Sequence, residues 1–181
     1  MGTDPAESTW QRMLVFYGRS HRHPVNIGIH VVCVPIIMGG AMVPLGWLQA
    51  DVGGVELSAV WLFIALVAIG ASLLDGVAAL FLSPIMVAQA LFVTQVAHLP
   101  WTTGAAIGAA MFVGGYLAQF VGHAIEGRPP ALTERLWLAQ VSAPLFVAAE
   151  LARMVGLRRE QWAQVDARLD ELDAQGVSAG A

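Results

Sequence analysis

Four long apolar blocks dominate the chain, at 27–48, 57–74, 77–97 and 105–121, and a shorter one follows at 136–151. A helix that crosses the hydrocarbon core needs about 20 mostly apolar residues, so the first four predict spanning helices. Pro35, Pro44 and the pair Gly39-Gly40 interrupt the first block, and Ser83-Pro84 the third. Prolines are tolerated in membrane helices but predict kinks or a break. The stretches QADVGGVE (49–56), HLPWTTG (98–104) and EGRPPALTER (126–135) read as polar turns and connections, and Asp75-Gly76 divides the second block from the third. The block at 136–151 carries Pro144 and ends on Glu150, which predicts a half-inserted or fifth helix.

The pattern changes at 158–173. Trp162, Val165, Leu169 and Leu172 recur at three- and four-residue spacing, giving a single apolar stripe. The other positions are mixed charges, net acidic, so packing on the bundle or a partner is expected rather than adhesion to anionic lipid. Residues 1–24 read as a polar lead-in to a retained anchor, because a cleaved signal would need a shorter apolar core. The last residues, AQGVSAGA, read as frayed, and no internal repeat stands out. The expected fold is all-α: a polytopic membrane bundle of about four spanning helices, a short half-inserted or fifth helix, and a C-terminal amphipathic helix. The expected division is a helical metal-binding domain at 1–157 and a tail at 158–181.

Composition agrees with lipid as the solvent. Of 181 residues, 57% are apolar and 12% charged, where a soluble domain has about a quarter charged. A net charge of −4 offers no basic surface to nucleic acid. The lone cysteine, Cys33, lies in an apolar run and reads as a small core residue. All nine cations are arginines, and none falls in the 49–56 or 98–104 turns. The positive-inside rule then puts both ends of a four-span bundle in the cytoplasm, with 136–151 not crossing. The corresponding membrane is the inner membrane of a bacterium or the endoplasmic reticulum of a eukaryote.

This topology sorts the histidines. His21, His23 and His30 fall at the cytoplasmic mouth of the first helix, and His123 at the cytoplasmic end of the fourth. Glu126 and Glu150 fall on the same side, and His98 on the other. Asn26 and His30 are four apart and share a helical face, as do Gln119, His123 and Glu126 at spacings of four and three. Pro24 lets His21 fold back over the helix mouth, because the residue before a proline avoids the helical region. Gly122 and Gly127 leave room for a close backbone approach. Imidazoles, a carboxylate and two amides on facing surfaces suit non-haem Fe(II), and zinc is chemically compatible. The amides would hold the second ring nitrogen of each histidine. No compact metal motif such as HExxH is present.

The segments FYGRSHRHPVNIGIHVVCVP (16–35) and YLAQFVGHAIEGRPPALTERLWLAQVSAPLFVAAE (116–150) resemble the two signature blocks of the Mpo1-like (DUF962) family. The first carries Tyr17, His21, Asn26, His30 and Val34-Pro35. The second carries Gln119, Phe120, Gly122, His123, Glu126, then Pro130-Ala131-Leu132, Ala143-Pro144-Leu145-Phe146 and Glu150. The resemblance implies an Fe(II)-dependent dioxygenase of fatty-acid α-oxidation, which uses O₂ to convert a 2-hydroxy fatty acid into a fatty acid one carbon shorter. On it rests the assignment of His21, His30 and His123 as metal ligands and catalytic residues, with Glu126 next. Asn26, Gln119, Tyr17 and Glu150 would stand behind them. Arg128 at the mouth, with His23, would meet the substrate, and Ile27, Phe120 and Leu145 would line an acyl groove open to membrane lipid. Two alternatives are a non-enzymatic membrane scaffold or lipid-binding protein with structural histidines, and a zinc-dependent membrane hydrolase. A desaturase-like di-iron site needs more histidines than five, and a homo-oligomer is left open.

Overall fold

The computed structural model describes residues 8–176 and is helical almost throughout. Its elements are α1 (Thr9–Gly18), α2 (Pro24–Gly46), a hairpin of β1 (Gln49–Val52) and β2 (Val55–Ser58), α3 (Ala59–Leu74), α4 (Gly76–Ala97), α5 (Trp101–Glu126), a short 3-10 turn (Ala131–Thr133), α6 (Leu136–Met154) and α7 (Arg159–Ala174). Residues 177–181 of the expected frayed end lie outside the described residues. Three helices, α2, α4 and α5, are long and apolar enough to cross a membrane. With 16 residues, α3 is shorter; at about 1.5 Å per residue it reaches roughly 24 Å. Large apolar side chains on their outer faces, such as Leu66, Leu73, Leu80 and Leu117, are exposed. Around a bundle in lipid such a surface carries no penalty, since lipid tails are as apolar as leucine.

The expectation of a polar lead-in at 1–24 is corrected. Ser8 and Gln11 form a capping box, with Gln11 N donating to Ser8 Oγ at 3.2 Å and Ser8 N to Gln11 Oε1 at 3.0 Å. The cap starts α1, which buries Trp10, Met13, Leu14 and Tyr17. At 49–58 the chain forms a two-stranded hairpin rather than a bare turn. Gly53 and Gly54 both take positive φ, at 66° and 84°, as a two-residue hairpin loop requires. Trp101 starts α5 inside the expected 98–104 turn.

Pro24 does not break α2. It stands at the first helical position, after the His23 cap, whose Nδ1 accepts from Val25 N at 3.2 Å. A proline there removes a donor that would be orphaned anyway. Pro35 and Pro44 lie inside the continuous helix. The Pro35 carbonyl accepts from Gln89 Nε2 of α4 at 2.6 Å, a polar tie in an otherwise apolar seam.

The closest seam joins α2 to α5, where glycines of α5 at intervals of seven face α2. A Cβ on Gly108 would meet Val43 at 3.1 Å, one on Gly115 would meet Ile37 at 2.5 Å, and one on Gly122 would meet Asn26 Oδ1 at 2.2 Å. From α2, a Cβ on Gly40 would meet the Gly108 carbonyl at 2.7 Å. Small residues let membrane helices approach until their backbones touch. Gly127 has another role: at φ 71° it ends α5.

Both ends of α6 are tied to the end of the bundle where α2 begins and α5 ends. Just before it, Glu134 pairs with Arg19 at 2.7 Å; just after it, Arg158 pairs with Asp75, between α3 and α4, at 2.6 Å. Thus α6 does not carry the chain to the far end. Asp75 also caps α4, accepting from Ala78 N at 2.8 Å. Across the same end lies α7, with Trp162, Val165, Leu169 and Leu172 buried in the common core. Its acidic side binds arginines of the bundle: Asp170 pairs with Arg22, Asp173 with Arg128 at 3.0 Å, and Asp166 with Arg153 at 2.9 Å.

Candidate metal centre

Three histidines from three segments converge beneath α7. His21 lies on the turn after α1, His30 two turns into α2, and His123 in the last turn of α5. All three are buried, with ring centroids 4.2, 4.8 and 5.0 Å apart. One nitrogen from each lies within 4.8 Å of the others, so the group could hold a metal ion.

Main-chain geometry sets how the rings are presented. His21 Nδ1 donates to the Tyr17 carbonyl at 2.7 Å, and His30 Nδ1 to the Asn26 carbonyl at 3.0 Å. A carbonyl only accepts, so Nδ1 carries the hydrogen in both rings and Nε2 keeps its lone pair. Such a second-nitrogen bond fixes the tautomer and orientation of a metal-binding imidazole. The expectation that side-chain amides would do this is corrected, since carbonyls one helical turn back do it instead. Tyr17 stacks on His21 at 4.1 Å and 4°, and Phe146 packs 5.4 Å from the same ring. Burial first, and then the neighbouring His30, hold His21 well below the usual histidine range, so it is neutral at neutral pH.

Two ring nitrogens, His21 Nε2 and His123 Nδ1, are buried without a hydrogen-bond partner. Unpaired buried polar atoms are costly, and a coordinated cation would satisfy both. The donor set of neutral imidazoles therefore fits a divalent transition metal.

The other expected site residues take different places. Glu126 is not one of the converging group: its carboxylate accepts from Arg22 N at 2.5 Å and from Asn26 Nδ2 at 2.7 Å. Asn26, fully buried, also donates to the Ser20 carbonyl at 3.1 Å. It thus ties the His21 turn to α2 and α5. Gln119 lines the pocket beside the histidines. Arg128 points away, donating to the Arg19 carbonyl at 2.7 Å and to Asp173. His23 caps α2, and Glu150 is buried in α6, 4.0 Å from Arg153. His98 ends α4 at the far end.

Beside the histidines opens a small pocket, with a cavity volume of about 50 Å³. Val34, Ile37, Met38, Phe120, Leu132 and Pro144 give it apolar walls. Of the residues expected to line an acyl groove, Phe120 does so. Leu145 is core, and Ile27 packs against the core. Sequence reasoning passed over Tyr116 and Gln140, which also line the pocket and meet at 2.7 Å. Tyr116 stands one helical turn before Gln119 on α5, a spacing that could have flagged it.

A family description, 2-hydroxy-palmitic acid dioxygenase Mpo1-like, matches residues 8–155. The chain belongs to the Mpo1-like family. A curated relative, the 2-hydroxy-palmitic acid dioxygenase MPO1 of Saccharomyces cerevisiae, is 29% identical over 148 residues, covering 79% of each chain. No solved structure matches significantly. The match takes in α1 to α6, and so every histidine of the cluster.

Proposed function

We propose that the protein is an Fe(II)-dependent dioxygenase that takes a 2-hydroxy fatty acid and O₂ and yields a fatty acid one carbon shorter. One observation carries the reading. Three buried imidazoles, close enough to hold one metal ion, line a largely apolar pocket in a chain of the Mpo1-like family. His21, His30 and His123 would hold the metal, and iron bound there supplies the oxygen chemistry that no side chain provides. The protein's own part is to fix the rings through the Tyr17 and Asn26 carbonyls and to take the acyl chain along Val34, Ile37 and Phe120. Glu126, held by Asn26 and Arg22 N, anchors the turn that presents His21. The arginines of the described residues gather at the histidine end, so that end faces the cytoplasm under the positive-inside rule, with α2 to α5 as four spans.

The test is metal content by mass spectrometry together with oxygen uptake. Iron near one per chain, lost in His123→Ala, and oxygen uptake only with a 2-hydroxy fatty acid would support the reading. Zinc without oxygen dependence would favour the hydrolase. No metal after anaerobic preparation and iron resupply would leave the histidines structural and the scaffold reading ahead.

A further inference from the structure

The pocket is lined by residues of both α5 and α6. These two helices barely touch. The hydrogen bond from Gln140 Nε2 to the Tyr116 hydroxyl bridges the gap. The outward surface of these two helices is apolar: Phe112, Val113, Leu117 and Phe120 on α5, with Trp137 and Val141 on α6, are exposed. Such a surface, set in lipid, would let a single-chain amphiphile approach the gap from the side.

The lining contains neither arginine nor lysine. The expected anchor, Arg128, is committed to Asp173 and the Arg19 carbonyl. An incoming carboxylate needs donors nonetheless. Tyr116 supplies one. Because Gln140 donates to its oxygen, the phenol keeps its own hydrogen unspent, and a hydroxyl that accepts one bond is polarised toward donating another. Its ring is steadied edge-on by Phe112 at 5.0 Å. The Tyr17 ring lines the same pocket.

We propose that Tyr116, with its hydroxyl positioned by Gln140 across the α5–α6 gap, donates a hydrogen bond to a carboxylate oxygen of a lipid acid entering from the membrane. This assignment rests on the function proposed above for the substrate class. Tyr116 touches the acid, and Gln140 acts through Tyr116 as a positioning residue.

The test is equilibrium binding to zinc-loaded protein in phospholipid vesicles, where no oxygen chemistry intervenes. Two probes of equal chain length are compared: a 2-hydroxy fatty acid and the 1,2-diol that lacks the carboxylate. A hydrogen bond to a charged acceptor is strong enough that Tyr116→Phe should weaken acid binding about tenfold or more. Binding of the diol and the metal content should change little. Gln140→Leu should shift acid binding in the same direction by less. Unchanged acid binding in Tyr116→Phe, or equal losses for acid and diol, would overturn the assignment. The two readings separate cleanly. Acid that binds through Tyr116 without supporting oxygen uptake in the iron-loaded protein keeps the anchor and removes the dioxygenase. Oxygen uptake with normal acid binding in Tyr116→Phe removes the anchor alone.

Discussion

Replacing Gly122 by alanine adds one methyl group at the tightest point of the α2–α5 seam. Its Cβ would lie 2.2 Å from Asn26 Oδ1, far inside van der Waals contact, on a side chain with no exposed surface. Asn26 can yield only by giving up its bonds to the Ser20 carbonyl and to the Glu126 carboxylate. The first contributes about 1 kcal/mol and the charged one about 2 kcal/mol. Alanine returns roughly 1 kcal/mol through its better helix propensity. The expected net loss is thus about 2 kcal/mol, together with a disordered His21 turn and weaker metal binding. Gly114→Ala is the matched control: it lies on the same helix with nothing within 4 Å of its added Cβ, so it should be neutral or stabilising. Unfolding in detergent, with metal content measured on the same samples, reads both effects. In an Asn26→Ala background the Gly122→Ala penalty should largely vanish, because the two residues share one contact. Equal midpoints and equal metal content for Gly122→Ala and Gly114→Ala would refute the reasoning.

Other expectations follow from the same geometry. His123→Ala should lose the metal while the metal-free protein still folds, with a lowered midpoint because a buried ring is removed; calorimetry beside metal analysis checks both halves. Glu150 is buried, and burial pushes its carboxyl up to about 6 from 4.5, against a smaller opposing pull from Arg153. A carboxyl raised in the folded state binds more protons there than when unfolded, so stability falls as pH rises from 4.5 to 6 and the cost is complete above that range. Glu150→Gln should therefore raise stability at pH 7 by about 1–2 kcal/mol and change little at pH 4, as unfolding midpoints across pH would show. Arg158→Gln should cost about 2 kcal/mol by stranding Asp75, whose side chain is 6% exposed; adding Asp75→Asn should recover much of it in the same unfolding assay.

Much of the helical layout was legible because apolar run length is a strong signal in a membrane protein. The block at 77–97 became α4 almost residue for residue, and 136–151 became α6. The convergence of His21, His30 and His123 was also legible, since arginine placement puts those segments at one end. What failed has physical reasons. The short α1 was hidden by reading 1–24 as uniformly polar, although Trp10, Met13, Leu14 and Tyr17 keep helical spacing. The groups that orient His21 and His30 are main-chain carbonyls, which every residue carries and no motif marks. Arg128 looked available because its partner, Asp173, lies 45 residues away on α7. Gln140 and Tyr116, 24 residues apart, meet only because their long side chains reach across the gap between α6 and α5.

A pocket lined without cationic side chains has a thermodynamic corollary. Under the proposed function, an ionised acid entering the metal-free protein finds donors but no positive charge, and burying it so is unfavourable. The acid's affinity then depends on the ion, and by reciprocity the ion's affinity rises by the same factor when the acid is bound. Substrate thus becomes the agent that retains the metal. A cell rich in the lipid would keep this protein charged even when iron is scarce, and one without it would give the ion back to the common pool.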